Sequence, residues 1–126
     1  MSVLVDSSIW IDYFRGSGGL DALDYLIDEN LVVTNDLILA ELVPPLHIRN
    51  QKRLIGLLRE IERYNINIDW DDITQMQITC IRNGVNGVGI PDLIIAQNAI
   101  QNDLPLLSTD GHFISIAEYT PLSLHN

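Results

Sequence analysis

The chain has 126 residues, of which 47% are hydrophobic and 19% charged, a balance that fits one globular domain and excludes a disordered tract. No apolar run is long enough to cross a bilayer, no basic stretch precedes an apolar one near Met1, and the single Cys80 excludes an internal disulfide, so a cytoplasmic setting is expected. The net charge of −10 is the reverse of a nucleic-acid binder's footprint: a polyanion would need a local basic patch and bound cations, while basic protein partners are favoured.

Val3-Leu4-Val5 is a short apolar run that meets turn formers at Asp6, and it reads as a buried strand of a parallel sheet. Asp6 then stands at the carboxyl end of that strand, with Asp6 or Ser7 placed to cap a helix over Ile9–Phe14. Arg15-Gly16-Ser17-Gly18-Gly19 reads as a loop, and Leu20, Leu23 and Ile27 as the apolar stripe of a second helix whose Asp21, Asp24 and Asp28 face solvent. Leu31–Thr34 predicts a second strand. A nearly apolar helix over Leu37–Val43 follows, with Glu41 as its only charge and Pro44-Pro45 expected to end or kink it.

Residues 49–64 predict an amphipathic helix with Leu54, Leu57, Leu58 and Ile61 inward. Arg49, Lys52, Arg53, Arg59 and Arg63, five of the chain's seven basic residues, fall within an arc of roughly 120° away from that stripe. That arc is either a solvated face or a contact for RNA or a partner. Ile66–Asp69 predicts a third strand, and Asp72 with Gln75 a capping box for a helix carrying Ile73, Met76, Cys80 and Ile81. Gly84–Gly89 lacks the order of a dinucleotide fingerprint and the lysine of a P-loop, so it reads as a connection. Ile90-Pro91-Asp92 opens another apolar helix to Ile100. Leu104–Leu107 predicts a fourth strand, followed by a short helix and a final strand near Tyr119–Leu124. Strands alternating with helices imply a three-layer α/β/α domain spanning 1–126, with a mainly parallel sheet of about five strands.

Four acids stand out by position. Asp6 and Asp110 each follow a strand, Asp92 lies in the first turn of a helix, and Glu41 sits inside one. Strand ends and the following helix starts share one edge of a parallel sheet, so all four can converge there. Singly, Asp92 and Asp110 read as helix caps and Asp6 is balanced between capping and a site. Glu41 risks burial among Leu37, Ile38, Leu39, Ala40, Leu42 and Val43 with no basic residue near it in sequence. Together four carboxylates repel one another unless a divalent cation joins them, and all-oxygen ligation points to Mg²⁺, with Mn²⁺ as the alternative.

Val5–Gly16 closely resembles the opening of PIN-domain proteins of the VapC-type ribonuclease toxins, a branch of type II toxin–antitoxin systems. Ala40-Glu41-Leu42, Ile90–Ala96 and Leu107–Phe113 resemble that family's later motifs in order, so the resemblance spans essentially the whole chain. It implies a PIN-like fold and Mg²⁺-dependent endoribonuclease activity with Asp6, Glu41, Asp92 and Asp110 as metal-binding catalytic residues. It also implies Thr109 and Ser7 as supporting hydroxyls, homodimers, and a cognate antitoxin. Such chemistry acidifies a metal-bound water and requires no protein nucleophile. Arg15, Arg49, Lys52 and Arg53 are candidate RNA contacts, and His112 is open between a contact to phosphate and a packing role.

Two other readings compete. One keeps the fold and metal site in an RNA- or partner-binding module with little nuclease activity. The other uses Asp6 as a phosphoryl acceptor, but it lacks a second adjacent Asp and a lysine at a later strand end. An acidic site also invites an antitoxin segment that inserts Arg or Lys among the carboxylates.

Overall fold

In the computed structural model, which describes residues 1–16 and 21–125, the first strand is β1 (Val3–Val5). Alternate side chains of a strand point to opposite faces, and Val3, Leu4 and Val5 are each at most 1% exposed, so helices cover the sheet on both sides. β1 pairs in parallel with β2 (Val32–Thr34) and β4 (Leu106–Leu107), and β2 pairs in parallel with β3 (Glu62–Arg63). The order is therefore β3-β2-β1-β4.

Parallel neighbours require crossovers, and helices supply them. α1 (Ser7–Phe14) and α2 (Asp21–Asp28) lead from β1 to β2, and α3 (Asp36–Ile48) and α4 (Lys52–Arg59) lead to β3. α5 (Trp70–Arg82) and α6 (Ile90–Gln101) lead to β4, and α7 (Gly111–Tyr119) follows it. Helices α1, α3 and α4 pack in one group, α5, α6 and α7 in another, and α3 also reaches α6. The core includes Leu4, Leu23, Ile38, Leu93, Ile95, Phe113 and Ile116, together with the buried thiol of Cys80.

Several expected elements differ. Four strands form the sheet among the described residues, and the expected last strand is reduced to one parallel bridge from Leu124 to Leu106, Tyr119 ending α7 instead. Ile66–Asp69 is not a strand. Polar side chains of α6 take its backbone instead: Asn98 donates to Asn65 O (3.1 Å), Gln101 to Asn67 O (3.0 Å), and Gln97 bonds both N and O of Asp69 (3.1 and 3.0 Å). The pairing residues lie earlier, at Glu62 and Arg63.

The helix expected over 49–64 is only Lys52–Arg59. Arg49 belongs to the end of α3, and Asn50 takes the left-handed φ of 57° that turns the chain between α3 and α4. Leu58 is buried as expected, but Leu57 is 53% exposed. Pro44 and Pro45 do not stop α3. Their missing N–H groups remove two intrahelical bonds, yet buried Leu42 and Leu46 anchor the helix on either side of them.

In α2 the inward residues are Leu23 and Leu26, with Ile27 turned out; the loop expected at Ser17–Gly19, and Leu20, lie outside the described residues. The cap of α5 is Asp69, which accepts from Asp72 N at 3.2 Å, so the Asp72–Gln75 capping box is displaced by one turn. No described helix is long and apolar enough to cross a membrane.

Candidate metal centre

The chain runs outward from β1 to β2 to β3 and then returns to the other side of β1 at β4. That reversal opens a crevice at the carboxyl ends of β1 and β4, where α/β sheets bind ligands. Asp6 leaves β1 and Asp110 follows β4, so adjacency of these strands brings together residues 104 positions apart. α3 starts on the same edge after β2, and α6 approaches α3 and α7 to add Asp92.

Asp6 is 4% exposed. Although it is the N-cap residue of α1, its side chain makes no cap bond. Two serine hydroxyls hold it instead: Ser8 Oγ donates to Oδ2 at 2.8 Å and Ser108 Oγ donates to the same oxygen at 2.9 Å. Ser8 Oγ also accepts from Thr109 N (3.2 Å), and Ser108 Oγ from Asp110 N (3.0 Å), which ties the β1 and β4 ends together. Both serines engage Oδ2, so Oδ1 is left for another partner.

Asp110 caps α7 by accepting from His112 N through Oδ1 at 2.9 Å. His112 Nδ1 lies 3.3 Å from Asp92 Oδ2 and 3.6 Å from Asp110 Oδ1. Ser7 Oγ donates to Glu41 Oε1 in a long contact of 3.4 Å.

The electrostatics record the convergence. Glu41 is a solvent-reaching residue, not the buried one its apolar neighbours suggest, because its helix presents it at the open edge. Partial burial of its carboxyl raises its pKa first, and Asp6, Asp92 and, least, Asp110 raise it further against a lowering by Ser7. Partial burial and Asp110 likewise raise the pKa of Asp92, while His112 and the Gly89 backbone N–H pull it down. Carboxylates crowded against their charge repulsion offer the kind of oxygen donors that hard divalent cations take.

Glu41 thus lies within electrostatic reach of the other three predicted acids, and Asp92 within reach of Asp110. The predicted supporting hydroxyls fare differently. Ser7 touches Glu41, but Thr109 is exposed and engages the network through its backbone N–H. Ser8 and Ser108 make the contacts to Asp6. Both sit in the stretches already singled out, yet which serine turns inward depends on the backbone after each strand, and spacing alone does not report it.

The candidate RNA contacts Arg15, Arg49, Lys52 and Arg53 are exposed but not beside the acids. Arg15 closes α1 and Arg49 closes α3, whose starts face the site; at ~1.5 Å per residue Arg49 is about 12 Å beyond Glu41. Arg63, at the carboxyl end of β3, pairs with Asp36 at 3.0 Å. A cleft of about 410 Å³ lined by Trp10, Tyr13, Phe14, Leu54 and Leu57 includes none of the four acids.

A doubly covered parallel sheet with acids gathered at its switch point defines an α/β protein with a carboxylate cluster at the strand ends. The PIN domain family model matches residues 3–119, and the chain belongs to that family. No curated protein matches the chain. Among solved structures it is similar to VapBC2 from Rickettsia felis bound to a DNA fragment from its promoter, with 19% identity, 100% of this chain and 98% of that chain covered, and a TM-score of 0.77. It is similar to DNA-bound VapBC from Salmonella typhimurium, with 14% identity, coverage of 99% and 97%, and a TM-score of 0.75. It is also similar to VapC20 from Mycobacterium tuberculosis, a sarcin–ricin loop cleaving toxin, with 17% identity, coverage of 97% and 99%, and a TM-score of 0.63.

Proposed function

We propose that the chain is a divalent-metal-dependent endoribonuclease, the toxin of a toxin–antitoxin pair. The observation that carries this reading is the gathering of Asp6, Glu41, Asp92 and Asp110 at one sheet edge, with the pKa of Glu41 raised by partial burial and then by the other three. Membership of the PIN family and the likeness to VapC toxins support it. Asp6 and Asp92 would hold the ion, with Glu41 and Asp110 completing the set. Mg²⁺ or Mn²⁺ suits these oxygen donors. A bound ion supplies an acidified water and neutralises charge on the phosphate.

The protein's own part is positional. Ser8 and Ser108 aim Asp6 by holding Oδ2, and Asp110 is fixed by its cap bond to α7. The partner is an antitoxin that sets a basic side chain among the acids, and the working unit is a homodimer.

The test is cleavage of RNA by the intact protein with Mg²⁺ or Mn²⁺. Asp6→Asn and Asp92→Asn should each abolish cleavage, as EDTA should in the unaltered protein. Cutting that survives both substitutions would remove the assignment; metal-dependent RNA binding without any cutting would favour the binding-module reading.

A further inference from the structure

The acids do not face the ion space alone. His112, Asp92 and Asp110 each offer one ligand atom within 4.8 Å of the others. Two ligands opposite each other at bonds of ~2.1 Å span about 4.2 Å, so small side-chain rotations bring these three around one ion. The geometry is built from two helix starts: Asp92 is the third residue of α6, His112 the second of α7, and Asp110 the cap of α7.

The orientation of the ring is determined from both edges. Its backbone N–H is held by Asp110 Oδ1 at 2.9 Å, which fixes the root of the side chain beside the acid. On the far edge the connection from Gly84 to Gly89 passes close by. Gly87 has φ +83°, and a Cβ added there would lie 3.7 Å from Nε2. Nε2 therefore faces that connection while Nδ1 faces Asp92 and Asp110. The ring is 45% exposed, so an ion can reach it from solvent.

We propose that His112 is a ligand of this centre through Nδ1, and that its nitrogen turns the site toward Mn²⁺ over Mg²⁺. The inference rests on the metal-dependent reading above. Without an ion, Nδ1 and Asp92 Oδ2 lie 3.3 Å apart. To bind, Nδ1 must be free of a proton, so the neutral ring carries its one proton on Nε2 and Nδ1 donates its lone pair. Imidazole nitrogen suits first-row transition ions, whereas Mg²⁺ keeps to oxygen and retains its waters. Two carboxylates and one imidazole thus discriminate where carboxylates alone would not.

The experiment is pulsed electron paramagnetic resonance on the intact protein loaded with Mn²⁺, with affinities from calorimetry. A nitrogen hyperfine coupling is expected in the unaltered protein and is lost in both His112→Gln and His112→Ala. His112→Gln should weaken Mn²⁺ roughly 10–100-fold and Mg²⁺ by less. Bound Mn²⁺ without nitrogen coupling, or coupling that persists in His112→Gln, overturns the role of His112 and leaves the metal-dependent reading standing. Mn²⁺ that fails to bind, or binds Asp92→Asn as well as the unaltered protein, overturns both.

Discussion

Ser108→Ala separates what the coordinates assign from what spacing suggests. The hydroxyl donates to Asp6 Oδ2 at 2.9 Å, accepts from Asp110 N at 3.0 Å and lies 3.3 Å from Ser8 Oγ. A bond to a carboxylate is worth about 1.5–3 kcal/mol and a neutral one about 1 kcal/mol. The site is only partly buried, so water replaces some of this, and the net loss of stability should be about 1–2 kcal/mol. The larger effect falls on the ion. With one of the two donors on Oδ2 gone, Asp6 swings more freely, and loss of an orienting partner lowers metal affinity roughly 10–100-fold. Urea denaturation of the metal-free protein reads the first quantity and Mn²⁺ calorimetry the second. Ser108→Thr keeps the hydroxyl and should recover most of the affinity. Thr109→Ala removes an exposed hydroxyl and should change neither. If Ser108→Ala binds Mn²⁺ like the unaltered protein while Thr109→Ala binds it worse, the assignment of the hydroxyls is wrong.

Other outcomes follow from the same edge. Glu41 and Asp92 have folded pKa values raised above 4.5 and 3.8, so in that window the native state binds more protons than the unfolded one. Their contribution to stability is therefore fully present below the ordinary values and is lost as pH rises through the raised ones. Denaturation in EDTA should show Glu41→Gln more stable than the unaltered protein at neutral pH and with a flatter decline; a less stable variant with an unchanged decline would contradict this. Divalent ions should bind more tightly as pH rises through the same window, since they require the ionised forms. Asn98 is 1% exposed, accepts from Asn35 Nδ2 at 2.9 Å and donates to Asn65 O. Asn98→Ala leaves Asn35 Nδ2 unpaired in the core and should cost about 2–4 kcal/mol in a urea titration; a loss below the uncertainty of the titration would show that water replaces the amide.

The legibility of the chain follows the range of the forces involved. Strand cores such as Val3–Val5, the start of α6 at Ile90-Pro91 and the capping of α7 by Asp110 are local matters of hydrophobic run, ring-fixed φ and one side-chain bond, and they stand where the pattern places them. The acids were legible for a related reason: carboxylates at strand ends and helix starts share an edge in any parallel sheet. Elements whose limits depend on distant partners were not. Ile66–Asp69 has the residues of a strand, but Gln97, Asn98 and Gln101 of α6 satisfy its backbone first. The run 49–64 has one helical period, but Asn50 breaks it and β2 recruits Glu62 and Arg63.

Sequence alone determined the alternation of strands and helices and the family the chain resembles, because each is written in a few adjacent residues. Only the tertiary structure decided that Ser8 and Ser108 share one oxygen of Asp6, that Glu41 faces the open edge, and that Nδ1 of His112 turns toward Asp92. Those contacts join segments up to 102 positions apart, and their geometry comes from β4 lying beside β1, a pairing made by the packed sheet and not by any neighbour in the chain.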